Sequence, residues 1–440
     1  MISARTFIEN TVCDQSAKGK ATRAKLYRKC SERNAILPGE SVILSPLIIP
    51  KTELDRVSRD CAILLELILH LAERVFHGSI ENLLETFNYP ASFVRLVKGI
   101  YRPLRQHMIC RLDTYISEEG LKILEMNAGP WVGGLNLSRL FKCLTDIPAV
   151  KSRVKQDKLT CREPFGAAMQ AIVNACRARN VKTLALIEIK NTWKHSETAV
   201  AEALDTLRHL GIDAMHVTPS QLQLDPRSGK LVFCKKTIDG VCRLFPLSMM
   251  ASTSEDFRPI ISALQRGVVR DVMLSESWLV SCKAALAVLW DKQFWNSFTE
   301  NERHLLKQYI PQTWHLSQYT KPLAIRQQNQ VILKPIYGFS GRGVVCGWEH
   351  TGKQWKIVVE KALRSKEQYI VQRRVVSRHF PAVVYSADGH LEKSYKCPLV
   401  LGLFMAGGDL IGGYVRAHPR CNGVINVGKG AAVGAVVEQA

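Results

Sequence analysis

The sequence predicts a mixed α/β and α+β chain of more than one domain, and three stretches carry that reading. Val181 to Leu247 runs strand, helix, Gly211, strand and further short strands, which argues a βαβ unit on an open, mostly parallel sheet. ICRLDTYI and LKILEMN flank a polar turn, Ser117-Glu118-Glu119-Gly120, which argues an antiparallel hairpin. From Gln330 onward the chain is β-rich and glycine-rich, with VILKPIYG, QYIVQRRVV and PLVLGLFMA as strands. With 440 residues it also exceeds the roughly 250 to 300 at which a single core stops growing.

Each part follows in order. Residues 1–104 read as a mainly helical segment, with Leu64, Leu67, Ile68 and Leu71 at helical spacing. Residues 105–178 carry the hairpin, 179–268 form the small α/β unit, and 269–440 hold the glycine-rich strands, preceded by a helical stretch from Leu274 to Tyr309 that Pro311 closes. A hydrophobic content of 46% with 22% charged residues excludes a disordered chain. The 13 cysteines are scattered from Cys13 to Cys421 without a CxxC pair or zinc-site spacing, which points to a reducing, cytoplasmic setting. The N-terminus shows no basic region followed by an apolar run, so no secretory signal is expected. The most apolar stretch, Cys61 to Val75, contains Glu66, His70, Glu73 and Arg74 and is shorter than the ~20 residues that span a bilayer, so a buried amphipathic helix is expected and no membrane partner.

The net charge of +21 invites a nucleic-acid partner, with Lys18, Lys20, Arg23, Lys25, Arg28 and Lys29 clustered early. No RNP, helix-turn-helix or zinc-finger signature accompanies it, so nucleic acid is the less favoured partner. An oligomer is compatible with the sequence, which does not specify one.

The first chemical signal is VILKPIYGFSGRGVVCG. An outward Lys334 at a strand end precedes a loop holding Gly338, Ser340, Gly341 and Gly343. A lysine there offers a point charge to phosphate oxygens, and glycines let backbone N–H groups approach them. The order is wrong for a Walker A loop, and the return to a strand is wrong for a dinucleotide fingerprint. A lid over phosphates is one reading; a plain hairpin whose turn needs positive φ is the other.

The second signal is RLDTYISEEGLKILEMNAGP. Glu125 and Asn127 lie two apart on one strand and share a face, and Asp113 across the hairpin reaches the same face. Two carboxylates and an amide oxygen make a hard oxygen cage suited to Mg²⁺ with nucleotide phosphates, or to two ions if Glu125 bridges. An exposed polar strand face is the bland alternative.

Together these motifs resemble the ATP-grasp superfamily, in which a strand lysine, a glycine-rich lid and a D…E-x-N metal motif build a Mg-ATP site. Here the metal motif precedes the lid, as in the circularly permuted ATP-grasp proteins similar to glutathionylspermidine synthase and related carboxylate-amine ligases. The resemblance covers roughly residues 105–440 and implies a circularly permuted ATP-grasp fold with a small open-sheet α/β substrate domain. It further implies ATP and Mg²⁺ as cofactors, with Asp113, Glu125 and Asn127 on the metal and Lys283 as the first ATP lysine, ahead of Pro311-Gln312-Thr313. Val371 and Gln372 would belong to the hinge whose backbone meets adenine, Lys334 and Arg416 would stabilise the transferred phosphoryl group, and Asn426 and Arg243 would face the substrate. Arg373 stands where relatives carry an acidic hinge residue.

The activity implied is ADP-forming ligation of a small-molecule or peptide carboxylate to an amine co-substrate through an acyl phosphate, in peptide or specialised-metabolite assembly. An ATP-grasp phosphotransferase, or a basic nucleotide- or nucleic-acid-binding protein without ligase activity, is the alternative.

Overall fold

Beside the C-terminal strand Ala432–Gln439 runs a strand from the other end of the chain, Leu47–Pro50, paired with it in parallel. In this computed structural model, which describes residues 3–7, 10–101, 108–130, 132–189, 197–251, 255–272, 277–338, 341–420 and 423–440, the two belong to a ten-stranded sheet. The sixteen-residue strand Leu391–Ala406 is its spine. Its first half pairs with His379–Tyr385, and its second half lies between Ile109–Ser117 and Asp409–Ala417. The hairpin Ile109–Ser117/Gly120–Ala128, expected from the sequence, therefore forms an edge of this sheet, laid against strands nearly 300 residues later.

The N-terminal segment is less uniformly helical than the sequence suggested. Helices Ala17–Glu32, Lys51–Leu69, Ile80–Thr86 and Ala91–Ile100 are present, but Val42–Ile43 and Leu47–Pro50 are strands of the large sheet. Their apolar run SVILSPLIIP sits between Pro38-Gly39 and the helix beginning at Lys51, and Ile43, Leu47, Ile48 and Ile49 are almost wholly buried. A short continuous apolar run bounded by turn residues is the mark of a strand buried on both faces. The helix Lys51–Leu69 follows at Pro50, with Glu53 in its first turn and Leu54, Val57, Cys61, Leu64, Leu65 and Ile68 on its buried face.

The small α/β unit has four parallel strands in the order Arg270–Asp271, Gly240–Arg243, Thr183–Ile187, Asp213–Val217, with helix Glu197–His209 as the crossover between the last two. Arg270–Asp271 belongs to this sheet, so its edge lies past the 268/269 divide read from the sequence. The divide expected at 104/105 falls outside the described residues.

A third sheet is antiparallel, in the order Thr313–His315, Tyr369–Arg373, Val331–Pro335, Val345–Cys346. Trp355, on helix Gly352–Arg364, is fully buried against its face, and a Thr351/Gln354 capping box starts that helix. The helical stretch expected over 274–309 is broken into Ser277–Ser281, Lys283–Trp290 and Glu300–Tyr309. The last begins at a Thr299/Glu302 capping box, so Lys283 opens its own short helix instead of sitting within a long one. Among the described residues no helix is long and apolar enough to cross a membrane, and the twelve described cysteines are free thiols.

Candidate functional site

The hairpin register places Asp113 directly opposite Glu125 and Arg111 opposite Asn127. Directly opposed residues of an antiparallel pair share a face, and so do residues two apart, so all four side chains point the same way. The next strand sets Gly402 beside Asp113, and the one beyond sets Tyr414 beside Gly402. Arg416, two residues past Tyr414, joins the same face.

Asp113 is the centre of a buried charge cluster. Its two oxygens accept from Arg111 Nε at 2.7 Å and Nη2 at 3.0 Å, a bidentate pair. Arg416 Nη2 lies 2.9 Å from Oδ2, and Asn127 Nδ2 donates to the same oxygen at 3.3 Å. Burial alone would raise this carboxyl; the Arg111 and Arg416 guanidiniums overcome it and hold it well below the ordinary carboxylate range. Tyr414 lies between the two arginines, each guanidinium carbon 5.6 Å from the ring centre. A side chain at 402 would occupy the place of that ring, since a Cβ there would lie 2.5 Å from Tyr414 Cε1 and 3.2 Å from Arg111 Cδ.

Glu125 is served by the lysines. Lys283 Nζ is 3.4 Å from Glu125 Oε2 and donates to the carbonyl of Gly338 at 3.1 Å, which ties the helix start to the glycine loop. Burial works to raise the Glu125 carboxyl, but Lys283 leads the cations that hold it below its usual value. Lys334 is buried, 6% exposed, and turns inward instead of outward as the strand pattern suggested. Its ammonium donates to Leu124 O at 3.0 Å and Gln372 Oε1 at 2.8 Å, and so crosses from the antiparallel sheet to the hairpin. Burial, with Lys283 adding to it, brings the Lys334 ammonium down to about 8 against the pull of Glu125.

The loop after Lys334 is built as a glycine turn: Gly338, Gly341 and Gly343 have φ of 146°, 70° and 70°. Ser340 lies outside the described residues. A Cβ at Gly341 would meet Val424 Cγ1 at 3.0 Å, so the loop rests on the stretch that leads to Asn426.

The expected residues are thus partly gathered. Asp113, Glu125, Asn127, Lys283, Lys334, Gly338, Gln372 and Arg416 converge. Val371 and Gln372 do not offer the free backbone the hinge reading required, because their strand is paired on both sides, with Thr313–His315 and with Val331–Pro335. Arg374 N still donates to Gln330 O at 2.7 Å, so main chain leaves the sheet only beyond it, where Val376 is 62% exposed. Gln372 contributes its side chain, linking Lys334 to Thr313 Oγ1 at 3.2 Å. Arg243 is buried in the small parallel sheet, with Nη2 2.9 Å from Asp271 Oδ2, a different sheet from the hairpin. Asn426 uses its side-chain oxygen to accept from Gly428 N at 2.8 Å in the turn Val427–Lys429.

Arg111 and Tyr414 were missed from the sequence. For Arg111 a signal existed: in R-x-D on a strand the two charges share a face. Tyr414 gave none, since its role depends on a glycine in another strand.

The donor set fits a metal–polyphosphate ligand better than a bare ion. Among the described residues no three His, Cys, Asp or Glu side chains converge, which leaves two carboxylates and an amide for a divalent cation. Such a set suits Mg²⁺ when phosphate oxygens and water complete its shell. Four cations, Arg111, Arg416, Lys283 and Lys334, face those two carboxylates, so the cluster carries an excess of two positive charges.

A family model described as glutathionylspermidine synthase preATP-grasp matches residues 45–418. Among solved structures, a glutathione synthetase-like effector from Globodera pallida in its apo form aligns with TM-score 0.62 over 98% of this chain and 99% of its own, at 12% identity, a likeness of fold. A putative gamma-glutamylcysteine synthetase from Methylobacillus flagellatus aligns over 84% and 87% at 13% identity and TM-score 0.44. No curated protein sequence matches.

Proposed function

The chain belongs to the glutathionylspermidine synthase preATP-grasp family, and from that premise we propose that it is an ADP-forming carboxylate-amine ligase with a circularly permuted ATP-grasp site. The observation that carries the proposal is the cluster itself: two opposed carboxylates among four cations, one of which, Lys283, also meets the stem of a glycine loop at Gly338 O. The early hairpin lying against the late strand Leu391–Ala406 supports the permuted order.

In this reading Glu125, Asp113 and Asn127 would hold Mg²⁺, which would supply positive charge to neutralise the phosphates. Lys283 and Lys334 would grip the phosphates, and Gly338, Gly341 and Gly343 would cover them through backbone N–H groups. Main chain beyond Arg374 meets the adenine. The substrate carboxylate attacks the γ-phosphorus, the bond to the β–γ bridging oxygen breaks, and ADP leaves. Arg111 and Arg416 face the oxygens on which charge develops, so positioning and electrostatics carry the step without a protein nucleophile. The amine then attacks the acyl carbon, phosphate departs, the amine proton is lost and an amide remains. Arg243 and Asn426 remain the substrate-side residues of this reading, and closure of the glycine loop would keep water from the acyl phosphate.

Hydroxylamine trapping tests this. Purified protein with Mg-ATP and pooled amino acids, short peptides and small carboxylic acids should yield a hydroxamate and ADP. ADP without hydroxamate would turn the assignment to a phosphotransferase, and AMP would refute the reaction class.

A further inference from the structure

Lys283 is held at two points by the segment that leads from strand Val331–Pro335 into the glycine loop: its N–H donates to Ile336 O at 3.2 Å and its ammonium to Gly338 O at 3.1 Å. Tyr337, between those two carbonyls, reaches the other way, into the N-terminal helices. Its hydroxyl donates to Phe87 O at 2.8 Å, and its ring lies 4.3 Å from that of Tyr89. Tyr89 in turn stacks on Phe93 at 4.2 Å and meets the edge of Trp278 at 5.3 Å. Burial, with the Cys282 thiol and the Tyr337 hydroxyl beside it, pushes the Tyr89 hydroxyl well above its ordinary value.

Trp278 lies within, and Cys282 directly follows, the short helix Ser277–Ser281 that leads to Lys283. Ser281 Oγ accepts from Ala128 N at 2.8 Å, so the same helix also pins the end of the strand carrying Glu125 and Asn127. One aromatic cluster therefore touches the stem of the loop and the lead-in to the ATP lysine. Asn88, at φ 49°, makes the turn that presents Tyr89. From Pro90 the helix Ala91–Ile100 runs on to the small α/β unit, where a Cβ at Gly99 would lie 2.6 Å from Gln265 Nε2. No part of this cluster holds a charge for phosphate or metal; its geometry fixes groups that do.

We propose that Tyr89 and Tyr337 are positioning residues of the nucleotide site, and that residues 87–100 form the strut that sets the loop stem and Lys283 against the small α/β unit. The proposal rests on the nucleotide reading above.

Calorimetric binding of Mg-ADP, alongside thermal melts, separates the two. Lys283→Ala should weaken Mg-ADP strongly. Tyr89→Leu should weaken it about tenfold, since displacements on the order of an ångström at a distance from the phosphates suffice. Tyr89→Phe, which keeps the ring, should recover most of that loss. Leu84→Ala, a buried core truncation in the adjacent helix, should lower the melting temperature yet leave Mg-ADP affinity unchanged. Wild-type affinity in Tyr89→Leu beside a weakened Lys283→Ala overturns the strut. Wild-type affinity in Lys283→Ala overturns both the strut and the nucleotide site beneath it. Should Tyr89→Leu fail to fold, Tyr337→Phe removes one hydroxyl and carries the same test: several-fold weaker binding supports the strut, and unchanged binding overturns it.

Discussion

Gly402→Ala is the substitution whose effect follows most directly from geometry. The added methyl would sit 2.5 Å from Tyr414 Cε1 and 2.9 Å from Cδ1. Carbon pairs are comfortable at about 3.5 to 4.0 Å, so the ring must retreat by roughly 1 Å. It has little room: Phe404 stacks on its face with centroids 5.6 Å apart, and the Gly134 backbone crowds its edge, where a Cβ would lie 2.9 Å away. Overpacking of this kind costs about 1 to 3 kcal/mol. The ring also separates Arg111 from Arg416, and a shift of about 1 Å in groups that face a transition state can lower turnover on the order of a hundredfold. The assay is a denaturant melt paired with ADP release at saturating ATP. Gly402→Ala/Tyr414→Leu, which removes the obstructing ring, should regain part of the lost stability. A Gly402→Ala protein with wild-type stability and turnover would refute the reasoning, and so would a double variant no more stable than the single one.

Three further outcomes are expected. Glu125→Ala should abolish ADP formation with little change in melting temperature; wild-type turnover would sink the metal assignment. In the proposed site Lys334 would grip phosphate only when charged, and burial brings its ammonium down to about 8, so Mg-ADP affinity should fall as pH rises, by up to about tenfold between pH 7 and 9; a flat profile would refute the role given to its charge. Asp113→Asn strands Arg111 and Arg416 beside a neutral amide and should destabilise by about 3 to 5 kcal/mol at neutral pH. Because the folded Asp113 carboxyl is held below its ordinary value, its contribution is full above about pH 4 and is lost as pH falls. The difference between wild type and Asp113→Asn in urea melts should therefore shrink in acid, and a constant difference would place the cost elsewhere.

The fold was legible where local pattern and tertiary partner agree. The hairpin, the βαβ alternation and the glycine-rich strands each announce themselves through local pattern, and the structure holds them at those places. Val42–Ile43 and Leu47–Pro50 were not read, because their pairing partner is Ala432–Gln439, and a four-residue strand carries no period of its own to set against the helices around it. The inward turn of Lys334 was hidden for the same reason: an apolar strand with one lysine is ordinarily buried on one face and wet on the other. Only the hairpin carbonyl at Leu124 and the amide of Gln372 make the buried side habitable for an ammonium.

The site was legible in its carboxylates and less so in its cations. Asp113, Glu125 and Asn127 fall within fifteen residues, and the two-residue period of a hairpin suffices to put them on one face. The four cations come from four separate places in the chain, one beside Asp113, one at a helix start, and two on strands of different sheets. A motif built from D, E and N describes what holds a metal, whereas a polyphosphate is held by whatever outweighs those acids. Reading Asp113 as a metal ligand alone would leave two buried guanidiniums unexplained. With both counted, the carboxylate orients the arginines, and the surplus positive charge is what a nucleotide would meet.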